Sequence, residues 1–218
     1  RHKNPSFQEQ MDIALRYHCK DGNVKWVSLL LWAGSDPFSK GPCTPTDDPD
    51  EDEDICALEY AAIYGHVDIF NLKKINIRSN AVLASSVLRY ACLASAGDFV
   101  CELLESGVSF PHRGEDEADL IHQCLVRLEH ADINWWITSR DDGGFDNSKS
   151  RELLKIIHVL AKHGARWDPA DNHTINSARR SLLKMDPDYT VEFVWIMSKF
   201  QACSLESLKQ LLKTLAIR

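Results

Sequence analysis

The chain has 218 residues, of which 44% are hydrophobic and 26% charged, and a formal net charge of −7. That balance excludes an intrinsically disordered chain and allows one long domain with a substantial core. No apolar run approaches the ~18 residues of a membrane span, so no membrane contact is expected.

Ser6-Phe7-Gln8-Glu9 has the pattern of a capping box, and Phe7, Met11, Ala14, Leu15 and His18 recur at helical spacing. A first helix is therefore predicted over residues 7–20. Asp21-Gly22-Asn23 breaks it. Val24, Val27, Leu30 and Leu31 define a second helix, Gly34 supplies a left-handed cap, and Asp36-Pro37 forbids continuation. Residues 38–54, FSKGPCTPTDDPDEDED, read as a loop insertion, because prolines, a glycine and a dense acidic run exclude a packed element.

The pattern resumes in phase. Leu58 precedes Gly65 by the same seven residues that separate Leu15 from Gly22. Ala61-Ala62 are small enough for close helix approach, Gly65-His66 forms the turn, and Ile69, Phe70, Leu72 and Ile75 predict a continuing helix. A third copy runs through Val87-Leu88-Arg89-Tyr90-Ala91-Cys92, with one extra residue before Gly97 and then Leu103-Leu104 and Gly107. A fourth begins at Leu120, Ile121, Cys124 and Leu125 and extends to Trp135. It resumes after a loop insertion at 139–149 with Leu153, Leu154, Ile157, Leu160 and Gly164. A fifth spans 175–199, with Leu182, Leu183, Val191, Val194, Trp195 and Met197 as its expected core. A final helix within 200–218, opened by Ser204 and striped by Leu205, Leu208, Leu211, Leu212 and Leu215, caps the stack, since an ordinary last repeat would leave an apolar face in water.

The Leu, small-small, Gly, Leu-Leu order and the recurring period resemble the ankyrin-repeat family over roughly residues 6–170. The family's Thr-Pro-Leu-His opening reads Ile-Ala-Leu-Arg and Cys-Ala-Leu-Glu in this chain. The resemblance implies an all-α, ankyrin-like helical solenoid of about five repeats with a C-terminal capping helix, forming one domain over 1–218. It also implies a protein-binding surface built from inter-repeat loops and inner helices.

Seven cysteines, an odd number without a CxxC pair, point to a reducing compartment and hence to an intracellular protein, cytoplasmic or nuclear. The start, RHKNPSFQEQ, has no leader pattern and no initiator Met, which suggests a piece of a larger parent chain. Phosphate-loop, dinucleotide, HExxH and GxSxG motifs are absent, so neither a catalytic residue nor a cofactor is expected. His18-Cys19, His122-x-Cys124 and His158 with His163 lack the paired spacing of a zinc module, so no metal site is expected either. Asp141-Asp142 beside Gly143-Gly144 reads as turn chemistry, and the acidic run lacks calcium-loop spacing.

The function these features favour is non-enzymatic recognition of another protein or of another segment of a parent chain. The candidate partner-binding residues are Tyr17, Lys20, Phe38, Lys40, Tyr60, Tyr64, Trp136 and Trp167: the repeat pattern sets Tyr17, Tyr60 and Tyr64 at variable inner-helix positions and Phe38 and Trp167 at loop tips, and one helix cannot bury both Trp135 and Trp136 on one face. The alternative is a regulatory or effector module that contacts nucleic acid through its basic C-terminal half. Charge is divided, with −12 before Ser148 and +5 after it. Arg179, Arg180 and Lys184 share a helical face there, but the whole chain is acidic and no reader motif is present.

Overall fold

A computed structural model describes residues 6–43, 55–108, 120–126, 147–167, 169 and 172–216. Among them every regular element is helical. The ten α-helices are α1 (Phe7–Lys20), α2 (Val24–Ala33), α3 (Ala57–Ile63), α4 (Ala81–Leu93), α5 (Gly97–Glu105), α6 through residues 120–126, α7 (Asn147–Lys162), α8 (Asn172–Lys184), α9 (Pro187–Lys199) and α10 (Leu205–Ala216). Two 3-10 turns, Val67–Asn71 and Ile77–Ser79, complete them.

Local chemistry sets the helix ends. Ser6 Oγ accepts from the Glu9 N–H at 3.2 Å and Glu9 Oε2 accepts from the Ser6 N–H at 3.3 Å, so two otherwise unpaired donors of α1 are satisfied reciprocally. Asn23, Asn80 and Asp186 cap α2, α4 and α9 in the same spirit. Ser204 Oγ accepts from the Ser207 N–H at 3.1 Å and starts α10.

The chain divides into two compact units, Arg1–Ala94 and Ser95–Arg218, and the division falls inside the third expected copy. In the first unit α1 packs against α2 and α3, α3 against α4, and α2 against the turn Val67–Asn71. In the second, α7 lies between α5 and α9, and α8, α9 and α10 pack together.

A common sequence spacing recurs through the first unit and at its boundary with the second. Left-handed residues Gly22, Gly65 and Ser95 follow α1, α3 and α4, and the next helical element starts two residues later each time. Counting back seven residues gives Leu15, Leu58 and Leu88, all fully buried. Where a third turn was expected at Gly97 with one extra residue before it, the left-handed residue is Ser95, at the same seven-residue spacing from Leu88. Gly97 begins α5 and is buried there; a Cβ on it would meet Glu152 Oε2. The ends of the second helices also correspond. Gly34, Gly107 and Gly164 are left-handed, and Leu31, Leu104 and Ala161 three residues earlier are buried.

Four further expectations are corrected. The second element of the expected second copy is a five-residue 3-10 turn anchored by buried Ile69, not an α-helix. Val67 and Ile69 are β-branched, Asn71 favours turns, and His66 offers no side-chain cap. In the segment expected to be a fifth copy, Leu182 and Met197 are buried as expected, but Leu183, Val191 and Trp195 are exposed, and the core is completed by Ile175, Ala178, Phe193 and Ile196. Both stripes of α9 are apolar, and packing against α7 and α8 selects the one carrying Phe193 and Ile196. Of the loop expected at 139–149, Asn147 to Lys149 belong instead to α7, and residues 139–146 lie outside the described residues. In α10 only Leu208 and Leu211 of the leucine stripe are buried, while Leu205 and Leu212 face solvent.

Candidate functional site

The end of α1, the end of α3 and the loop after α2 meet around Lys20. The Lys20 carbonyl, left without an intrahelical donor, accepts from His66 Nε2 at 3.0 Å. A carbonyl only accepts, so that nitrogen carries the proton. Gly22 makes the approach possible: its φ is +72°, and a Cβ there would lie 2.5 Å from the His66 ring. His66 in turn stacks with Tyr64, their centroids 6.5 Å apart and their planes 9° from parallel. Lys20 Nζ lies 5.7 Å from the centroid of the Tyr64 ring, within cation–π range, and 3.6 Å from Cys43 Sγ. Burial works to lower the Lys20 pKa, but Cys43 and Tyr64 outweigh it and hold the ammonium above the ordinary lysine value. Lys20 thus stays charged beside an exposed aromatic ring.

The loop that supplies Cys43 is fastened from α1. Arg16 is buried; its Nε donates to the Pro42 carbonyl at 2.7 Å, and its Nη1 donates to the Ser39 carbonyl at 3.1 Å and to Ser39 Oγ at 3.3 Å. Gly41 (φ +145°) passes so close that a Cβ would sit 3.1 Å from Arg16 Nη2. The Gly41 N–H donates to Ile55 O at 3.2 Å, and Lys40 pairs with Cys56 in an antiparallel bridge. The two ends of the acidic insertion are therefore closed into a neck, whereas the acidic run itself lies outside the described residues. At the neck Phe38 and Lys40 are exposed, and Asp36 Oδ1 accepts from the Phe38 N–H at 2.9 Å.

Of the candidate residues, Lys20 and Tyr64 are brought together. Phe38 and Lys40 lie on the loop that ends at Cys43, and Tyr17 is exposed one helical turn before Lys20. Tyr60 and Trp167 are corrected to core positions, because both are buried. Tyr60 lies on α3, which α1 and α4 both pack against. The main-chain N–H of Trp167 donates to Ala202 O at 2.6 Å, and its ring meets Phe193 edge-on at 6.0 Å. Trp136 and the pair Asp141-Asp142 lie outside the described residues.

Sequence reasoning missed the outward face of α2, where Trp26, Leu29 and Trp32 are all exposed. Trp26 and Trp32 fall outside the Val24, Val27, Leu31 stripe that packs inward, and that offset was the available signal. It also missed Trp195 with Lys199, whose Nζ lies 4.3 Å from the ring centroid.

Burial pushes the Cys56 thiol up to about 12, and burial followed by the proximity of Cys56 does the same for Cys19, so neither is a ready nucleophile. Among the described residues no three His, Cys, Asp or Glu side chains are grouped to hold a metal ion, and no helix is long and apolar enough to cross a membrane. Arg179 of the basic face donates from Nε to Thr214 O at 2.7 Å, so it serves the last turn of α10.

No family model matches the chain, and neither the curated proteins nor the solved structures return a match. The geometry around Lys20 carries the argument alone.

Proposed function

We propose that the chain is an ankyrin-like repeat protein that acts without catalysis, binding another protein or a segment of a parent chain. The surface in question comprises Lys20, Tyr64 and Tyr17, with Phe38 and Lys40 on the neighbouring neck. The observation that carries this reading is the Lys20–Tyr64 pair. A charged ammonium held over an exposed ring combines apolar area with a fixed positive charge, the mixture that anchors protein interfaces. The shared register of Leu15, Leu58 and Leu88, each fully buried, supports the repeat reading. Each unit spends its leucines on its neighbours and leaves the variable positions for a partner.

The chemistry of the surface favours a partner segment with a carboxylate beside an apolar side chain. Nucleic acid is the weaker reading, since Arg179 is committed to a main-chain carbonyl. Affinity capture from the native cell, with the wild-type chain and Tyr64→Ala side by side, tests the proposal. A protein retained by the first and lost by the second, with circular dichroism unchanged, is expected. Equal retention by both, or binding to duplex DNA that falls steeply with salt, would count against it.

A further inference from the structure

One face of the first copy is open where the same face of the second is closed. Counted from the left-handed turn residue, Ala14, Tyr17 and His18 of α1 correspond to Ala57, Tyr60 and Ala61 of α3, and Trp26 of α2 corresponds to Ile69. The four residues of the second copy are buried, because α1 packs on α3 and α2 on the turn Val67–Asn71. In the first copy Tyr17 and Trp26 are exposed and Ala14 and His18 only half-buried.

The open face is continuous across both helices. Phe7, Met11, Ala14 and His18 form one stripe of α1, and Trp26, Leu29 and Ala33 form one of α2, with Trp32 beside it. The hairpin holds the stripes together. The His18 ring stacks on Trp26 at 5.6 Å, Gln8 Nε2 donates to Gly34 O at 3.2 Å, and Ser35 Oγ donates to Met11 O at 3.4 Å.

We infer that this face pairs with the same face of a second copy of the chain, the two related by a two-fold axis with their α2 helices antiparallel. Charge selects that occupant. The only charged residue of α2 is Lys25, and the stripe of α1 carries none, so the face does not repel its own image. In the antiparallel arrangement each Lys25 lies toward the C-terminal, negative end of the other α2. Area selects a reversible dimer. Phe7 is 75% exposed, Trp26 51% and Trp32 78%, and aromatic side chains offer about 150–250 Å² each, so these three present roughly 300–500 Å² per copy. With Leu29 and Ala33 between them, two copies reach the ~1,000 Å² lower bound of a specific interface. Tyr17 borders both surfaces, but Lys20 and Tyr64 are not part of this face, and Lys25, Leu29 and Trp32, where the variants below are placed, are not part of the proposed binding site, so the two fail separately.

Sedimentation velocity over a micromolar-to-millimolar series tests it on the full chain. The wild type is expected to pass reversibly from monomer to dimer, and Trp32→Glu and Lys25→Glu to shift the transition at least tenfold upward with unchanged circular dichroism. Leu29 lies mid-helix, next to the proposed axis, so Leu29→Cys is expected to give a covalent dimer under mild oxidation that the wild type does not. A wild type that stays monomeric throughout overturns the inference and leaves the face to a different protein. Dimers unaffected by Trp32→Glu, or no cross-link through Leu29→Cys, overturn it as well.

Discussion

Arg16 Nε donates to the Pro42 carbonyl at 2.7 Å, across 26 residues of sequence. The same guanidinium takes in Ser39, so a buried cation on α1 fixes the neck of the acidic insertion. Truncation would strand two carbonyls and empty a buried site. Arg16→Ala is expected to cost roughly 2–4 kcal/mol, read as a lower urea midpoint with an unchanged slope. Arg16→Lys should recover only part of that, because an ammonium cannot reproduce the planar fork.

Gly22 and Gly34 separate conformation from contact. Both have positive φ, +72° and +101°, but only at Gly22 would a Cβ strike a neighbour, the His66 ring. Left-handed strain alone costs about 1–3 kcal/mol. Gly22→Ala should therefore cost more than Gly34→Ala in thermal melts, and it alone should shift the His66 ring resonances.

Glu59 is buried, accepts from the Cys56 N–H at 2.8 Å, and accepts from Ser86 Oγ on α4. It closes the start of α3 and ties α3 to α4 at once. A double-mutant cycle of Glu59→Ala and Ser86→Ala should return a coupling of about 1–3 kcal/mol. A value near zero would mean that the hydroxyl contributes nothing to holding the two helices.

Cys19 and Cys56 are buried, with pKa values raised from 9.0 to about 12. In the folded chain these thiols keep their protons at pH values where the unfolded chain has lost them. Their contribution to stability is therefore complete below pH 9 and is lost as pH climbs from 9 toward 12. Denaturation midpoints should fall across that window and fall less in Cys19→Ala/Cys56→Ala. Below it, thiol reagents should reach the pair only after unfolding.

The beginning of the chain was the most legible part. Ser6, Glu9, Gly22 and Gly34 are local signals, acting within a few residues, and α1 and α2 end where those signals say. What depends on distant packing was not legible. Periodicity placed two apolar stripes on α9 and could not say that Phe193 rather than Trp195 faces α7. The repeat pattern set Tyr60 at a variable inner-helix position, but α3 lies between α1 and α4 and its packing against both buries that ring. Trp167 follows a glycine turn signature that marks loop tips, and its burial depends on the distant Phe193, which its ring meets edge-on. Tyr64 and Lys20 were each visible as candidates. Their meeting depends on Gly22 admitting His66, a relation between residues 44 positions apart.

The central claim is that Lys20 and Tyr64 act together on a protein partner. Calorimetric titration of the captured partner into wild type, Lys20→Ala, Tyr64→Ala and the double variant tests it most directly. Each single change should weaken binding about tenfold or more, ~1.4 kcal/mol, and the double change should cost less than the two losses added. Undiminished affinity in both single variants, with the fold intact, would contradict the account.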